Sequence, residues 1–326
     1  MSLSYYHLFN ITQLTKYTIN RLIQKANEII VDQEHVIYNL RGKTLINYLL
    51  CDNIARSFQA AMYKLGGQVI SISDITNTSM KKEEDLKDTI KSACYYGDVI
   101  IIRHPEKGIV EKLTQLSSIP IINASNDSSG EHPTQALVDI YTIHTELMKK
   151  GIHLNSDRRY PSLIITFIGD LSRSYDFHSL IHLLCFFPCI RFNYVCPDNM
   201  KLPEEIYTMI EAKGIQQEYT SFEEIIHITD IFYVTTIQHQ IMNMNTNKNG
   251  YGYGYTRISE SDSNAKYSIS VSDTTNMKNT AFIMYSSQQD DYTNAKSVYL
   301  NQVKYGIYMK MAILHEVVHY SSLSQL

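Results

Sequence analysis

The chain has 326 residues, 44% of them hydrophobic and 19% charged, with a net charge of −4. That is a globular composition, long enough for two domains with sizeable cores, and its acidic balance argues against broad nucleic-acid binding. No apolar run reaches membrane-spanning length and the opening "MSLSYYHLFN" is no signal peptide, so a cytoplasmic protein with no membrane partner is expected. The five cysteines, Cys51, Cys94, Cys185, Cys189 and Cys196, are odd in number and irregular in spacing, a poor disulfide framework. Cys185 and Cys189 have the spacing to face one another on a helix, with core packing as the expected reason. No His/Cys cluster has zinc spacing, so no metal site is expected.

Taken in chain order, apolar residues from Leu14 to Ile30 recur at helical spacing. "KTLINYLL" reads as a buried strand. A helix over 56–65, with Phe58, Ala61, Met62 and Leu65 on one face, ends at Gly66-Gly67 and is followed by the strand "QVISISD". Then come a helix in "EEDLKDTIKSACYY", a strand in "DVIIIRHP", a short helix in "GIVEKLTQLSS" and a strand in "IPIINAS". "HPTQALVDIYTIHTELMKK" (132–150) is a long helix with Pro133 near its first turn.

The alternation then restarts: strand "SLIITFIGD", helix "YDFHSLIHLLCFF", strand "IRFNYVCP", helix "PEEIYTMIEAKG". "EEIIHITDIFYVT" reads as a helix leading into a strand, and late strands are expected in "YSISVSD" and "TAFIMYSS". A helix over roughly 297–320 closes the chain. Residues 242–264 are Asn-, Gly- and Tyr-rich and nearly free of aliphatics, which predicts a mobile surface loop, either a drifting insertion or a ligand-closing loop. The fold class is α/β: two Rossmann-like parallel-sheet domains joined by the helix at 132–150.

Three segments carry a family resemblance. They are "EHPTQALVDIYTI" (131–143), "DVIIIRHPEKG" (98–108) and "ARSFQAAMYKLGGQVISISDITNTS" (55–79), and weaker likeness runs on to the last helix. Together they resemble the aspartate/ornithine carbamoyltransferase family, and its aspartate branch most. The resemblance implies the transcarbamylase fold. A carbamoyl-phosphate-type domain would cover 1–147 and an aspartate-type domain 148–296, with a C-terminal helix at 297–326 returning to the first. It also implies carbamoyl transfer from carbamoyl phosphate to aspartate in pyrimidine biosynthesis, no metal or organic cofactor, and trimers with active sites shared between subunits. In such an enzyme the protein contributes positioning and electrostatics.

Against the family pattern, the subsites fare differently. The family's Ser-x-Arg-Thr-Arg phosphate loop falls on Cys51, Asp52, Asn53, Ile54 and Ala55, so both arginines and all three hydroxyl positions depart. Asp52 would repel a phosphate at about 4 Å by roughly 4 kcal/mol at an effective dielectric near 20, whereas a helix N-terminus attracts by only about 0.3–2 kcal/mol. Arg56, one residue on, is expected on the helix surface. Arg103, His132 and Gln135 match the family's carbamoyl contacts, and could equally serve as capping and inter-domain hydrogen bonds. In the amino-acid carboxylate site, Tyr175 and Thr236 stand where the family has arginines, with Arg173 nearby and expected in solvent. Gln238 matches. Met284-Tyr285-Ser286-Ser287 stands where the family has a His-Pro-Leu-Pro segment, so Ser286 and Ser287 mark a stretch that has lost its prolines. In the loop that a neighbouring subunit supplies, Ser79 and Lys82 match, though Lys82 beside Glu83 and Glu84 reads more simply as a solvated face.

Departures thus fall on every ligand subsite while the core periodicity stays intact. The expected function is an aspartate carbamoyltransferase-like protein, inactive or strongly impaired. It would act as a binding or regulatory subunit in a homotrimer or beside an active relative. The alternative is an active carbamoyltransferase with an altered substrate or donor site. A third reading is a small-molecule-binding protein whose inter-domain cleft takes something less anionic, with Asp52 suited to an amine or hydroxyl ligand; under the family reading the cleft ligand would be a small anion or an amino acid. Hydride transfer is disfavoured because "FIGDLSRS" carries one glycine where a dinucleotide fingerprint needs several.

Overall fold

The computed structural model describes residues 7–32, 39–48, 53–72, 83–104, 108–124, 131–154, 162–235, 267–286 and 294–323. The chain divides into two compact units, one of Met1–Asp157, Tyr175–Pro188 and Leu300–Leu326, the other of Arg158–Ser174 and Cys189–Tyr299.

The first unit opens with helix α1 (Lys16–Val31), whose N-cap Thr15 accepts the Thr18 amide N–H and whose Ile19, Leu22, Ile23, Ala26 and Ile29 are buried at helical spacing. Strand β1 (Thr44–Tyr48) leads to helix α2 (Asn53–Lys64) and strand β2 (Gln68–Ser71). Gly66, at φ 78°, makes the turn between them, a backbone geometry that a side chain would strain. Helix α3 (Glu83–Ala93), strand β3 (Val99–Ile102), helix α4 (Ile109–Thr114) and strand β4 (Ile121–Asn123) follow. The sheet is all parallel in the order β2-β1-β3-β4. One core cluster joins Ile46, Ile100, Ile102 and Ile121 of its strands to Leu86 and Ile90 of α3 and Ile109 and Leu113 of α4. The long helix α5 (Pro133–Lys149), the helix α6 (Tyr175–Leu184) and the last helix α9 (Tyr299–Leu323) complete this unit.

The second unit holds strand β5 (Leu163–Ile168), strand β6 (Ile190–Val195), helix α7 (Glu204–Ala212), strand β7 (Gln216–Tyr219), the single turn α8 (Phe222–Ile225), strand β8 (Ile231–Val234) and strand β9 (Phe282–Tyr285). Its parallel sheet runs β7-β6-β5-β8-β9. Phe167 is the hub of one face, with ring centroids 5.5 Å from Phe192 and 5.9 Å from Tyr233, separations at which aromatic pairs attract.

The structure departs from the sequence reading in four places. Helix α2 begins at Asn53 rather than Arg56, which puts Ile54 and Ala55 inside its first turn. "YSISVSD" is not a strand: Ser272–Thr275 form a 3-10 turn, and Ser270 donates its amide and its hydroxyl to Asp273 Oδ2, both at 2.7 Å. That local pairing offers the backbone an alternative to a ladder. Cys185 and Cys189 do not share a helix, because α6 ends at Leu184 and Cys189 sits at φ 61°. Strand β7, "QQEY", went unread because it is an exposed edge strand with no apolar alternation. Among the described residues no helix is long and apolar enough to cross a membrane. The 242–264 segment lies outside them.

Candidate functional site

Tyr48 pairs with Ile102 across β1 and β3. The chain leaves β1 for β2 on one side and leaves β3 for β4 on the other, so the strand order reverses between them. In parallel α/β sheets the carboxyl end of such a switch point is where ligands bind. Two segments emerge there: the start of α2 and, directly after β3, Arg103, which is half-buried.

The first turn of α2 places two hydrocarbon side chains before Arg56. Ile54 is half-buried, Ala55 is 2% exposed, and the Ile54 carbonyl accepts the Ser57 hydroxyl at 2.7 Å. Arg56 is exposed, as expected. Cys51 and Asp52 lie outside the described residues, and only the backbone of Asn53 is described.

The start of α5 is built from polar groups. His132 is its N-cap and is buried. Its Nδ1 accepts the Gln135 amide N–H at 3.2 Å, and its own amide N–H donates to Ser179 Oγ at 2.9 Å. Burial pushes the imidazole pKa down to about 3, with the positive charges of Lys310 and then Arg103 pushing the same way. The ring is therefore neutral near pH 7. Because Nδ1 accepts, the hydrogen-bond pattern assigns the proton to Nε2. Nε2 stands 3.9 Å from Asp176 Oδ1, too far for a hydrogen bond, and a neutral ring makes no ion pair with it.

Gln135 is oriented from behind. Its Nε2 donates to Asp139 Oδ1 at 2.8 Å, and the same oxygen takes Gln302 Nε2 at 2.7 Å. With the amide nitrogen held there, the amide oxygen is the end left to accept. A neutral N–H donor, an amide acceptor and a guanidinium at one sheet edge can polarise a carbonyl and hold an amide N–H.

Elsewhere the expected positions stand as follows. Tyr175 opens α6, half-buried, with its ring 5.9 Å from that of His178. Its phenol offers no charge to a carboxylate. Arg173 is exposed. In the second unit, Ser286 follows β9 and donates its amide N–H to the Val234 carbonyl at 3.0 Å, which spends that group on the sheet. At that unit's own switch point, between β5 and β8, Thr235 Oγ1 donates to the Ile168 and Asp170 carbonyls, both at 3.1 Å. A Cβ on Gly169 would stand 2.4 Å from the Thr235 carbonyl oxygen, so only glycine fits there. Ser79, Lys82, Thr236, Gln238 and Ser287 lie outside the described residues.

Arg103, His132, Gln135 and the start of α2 thus belong to one unit. The sequence reading missed Ser179, Asp139 and Lys310. A lysine inside the apolar run "GIYMKMAIL" was the available signal for Lys310.

Comparison with known proteins agrees across the chain. Residues 6–145 match the family model described as aspartate/ornithine carbamoyltransferase, carbamoyl-P binding domain. The chain is 34% identical over 268 residues to the aspartate carbamoyltransferase catalytic subunit of Thermoplasma volcanium, covering 80% of each. It is 31% identical over 317 residues to the multifunctional protein CAD of Squalus acanthias, of which it spans 13%. Among solved structures, the catalytic subunit of M. jannaschii aspartate transcarbamoylase superposes with a TM-score of 0.78 at 28% identity, over 96% of this chain and 98% of that one. Aspartate transcarbamoylase of Trypanosoma cruzi, in complex with carbamoyl aspartate and phosphate, gives 0.76 at 26% identity, over 95% and 94%.

Proposed function

The chain belongs to the aspartate/ornithine carbamoyltransferase family, and from that premise we propose that it has lost most or all of the family's carbamoyl transfer and serves as a binding or regulatory subunit. The observation that carries this reading is the first turn of α2. The resemblance places a phosphate-holding arginine at position 55, where this chain has an alanine sunk in the core. Arg56 beside it is exposed, and the phenol of Tyr175 replaces a second expected guanidinium. Carbamoyl phosphate is a dianion near neutral pH, so without the loop's guanidiniums its binding loses the attraction they would supply.

The assembly would be a homotrimer, or a mixed assembly with an active relative, in the cytoplasm. Ser79 and Lys82 would be presented to a neighbouring subunit, and Gln238 would help to hold an amino-acid ligand. This proposal rests on the match to catalytic subunits over most of the chain. A second reading, an active transferase with a changed donor or acceptor, draws support from the neutral His132 and the oriented Gln135.

A calorimetric titration with carbamoyl phosphate tests the anion-site argument. The variant Cys51→Ser/Asp52→Thr/Asn53→Arg/Ile54→Thr, which leaves Ala55 in the core, is expected to bind at least about tenfold tighter than the natural chain, about 1.4 kcal/mol. Equal affinities would overturn it.

A further inference from the structure

We propose that His315 and His319 of α9 form a chelating site for one divalent late transition-metal ion, with Zn²⁺ as its simplest occupant. The site involves none of the residues named at the sheet edge and goes beyond the functional reading given above.

The last turns of α9 carry "HEVVH" (315–319). Histidines four apart lie one turn from each other on the same helix face. Here the ring centroids are 4.1 Å apart and the planes 18° from parallel. A tetrahedral zinc ion with nitrogens at about 2.0–2.1 Å holds two of them about 3.3 Å from each other. Rings this close reach that spacing by turning about χ2, a soft torsion in histidine. A ligating imidazole must be neutral. Partial burial, and then the charge of His315 beside it, push the His319 imidazole below its ordinary pKa. Nδ1 of His315 is a second observation. It is buried without a hydrogen-bond partner, and Glu316 Oε1 stands 3.4 Å from it without the alignment of a hydrogen bond. A buried polar atom left in this state is costly, and a bound ion is one of the things that answers it. A metal on Nε2 would fix the proton at Nδ1, beside Glu316. That is the carboxylate–imidazole–metal order in which an outer oxygen orients the ligand.

The His315 side chain is 14% exposed and His319 is exposed, so the ion would meet one packed ligand and one that solvent reaches. Lys25 and Glu28 of α1 also act on the two rings. They are paired with each other at 2.6 Å and bring no net charge. Among the described residues no group of three or more His, Cys, Asp or Glu side chains could hold a metal. The pair thus offers two imidazoles, and water or an outside ligand fills the other positions. Two imidazoles favour zinc, nickel and copper over magnesium and calcium. A pair falls short of the three or four protein ligands of the usual zinc site, so zinc spacing does not register it. His-Glu-x-x-His on a helix is also the pattern of zinc hydrolases, in which the glutamate is the general base. Here Glu316 Oε2 is taken by Arg21 Nε of α1 at 2.7 Å, and the Glu316 side chain is only 11% exposed. The carboxylate is tied into an ion pair between two helices, and the site binds rather than hydrolyses.

The test is a calorimetric titration of the full chain, stripped of metal and free of any histidine tag, with ZnCl₂ at pH 7.5. Saturable one-to-one binding is expected, and MgCl₂ should give none. His315→Asn and His319→Asn should each weaken zinc binding at least about tenfold, because each removes one of two coordinate bonds. His227→Asn, at an exposed histidine of the second unit, should bind as the natural chain does. Cooperative thermal unfolding of each variant is the folding control. If His315→Asn does not fold, His319→Asn, at an exposed position, decides. The proposal is overturned if the natural chain binds no zinc at 1 mM, if magnesium binds equally well, if a folded His319→Asn variant binds zinc as the natural chain does, or if His227→Asn weakens binding as much as His319→Asn.

Discussion

Helices α2 and α5 both follow a strand of the first unit's sheet, and they differ in what their first turns carry. At α5 the cap is a histidine whose ring nitrogen and amide are both hydrogen-bonded, backed by Ser179 and by Gln135 on Asp139. At α2 the corresponding positions are Ile54, half-buried, and Ala55, buried, in a helix whose Phe58, Ala61 and Met62 are fully buried. A polar helix start held by partners from other elements keeps its geometry with or without a ligand. A hydrocarbon start contributes packing and offers an anion backbone N–H groups but no charged side chain. The two helix starts at one sheet edge therefore differ: one is a hydrogen-bonded polar cap, and the other places Ala55 in the core.

The most severe way to break this comparison is to place the family's cation back into the core. Ala55→Arg would bury a guanidinium with no partner placed for it, and is expected to destabilise the chain by about 3 kcal/mol or more. Chemical denaturation measures it, and a loss below about 1 kcal/mol would mean that position 55 opens to the ligand side. Ser179→Ala addresses the other half. It leaves the buried amide of His132 without its acceptor and should cost about 2 kcal/mol. An unchanged midpoint would mean that α5 holds its start without α6.

The pH dependence sharpens the same point more gently. His132, near 3, and His7, pushed down to about 4 by burial, both lie below their unfolded value of 6.5. The unfolded chain therefore binds protons in this window that the folded chain refuses. Stability is full above about pH 6.5 and falls as the pH drops toward 4, by roughly 1 kcal/mol per pH unit for His132. His132→Asn, which can still cap, should flatten that slope, and denaturation midpoints from pH 7.5 to 4.5 read it directly.

Much of this was legible in the sequence, for reasons that differ by residue. The cap at His132 was readable because Pro133 and a long apolar period follow it. The parallel sheets were readable because "VIII" and "LIITFI" are runs too apolar for anything but buried strands. The start of α2 was read three residues late because Asn53, Ile54 and Ala55 carry no signal that separates a loop from a first turn. Alternation in "YSISVSD" misled because Ser270 and Asp273 pair locally, which periodicity does not register. Lys310 could not be tied to His132 at all. They are far apart in sequence, and α9 packs on α5 through Gln302 on Asp139 and Tyr305 against Tyr141, which no local pattern records.

The most direct test is carbamoyl aspartate formation by the purified chain with carbamoyl phosphate and L-aspartate both at 10 mM, against a protein-free control and an Arg103→Ala variant. The account expects the natural chain, the variant and the control to give the same rate. A rate above the control that disappears in Arg103→Ala would contradict it, and would make the chain an enzyme that has found another way to hold its donor.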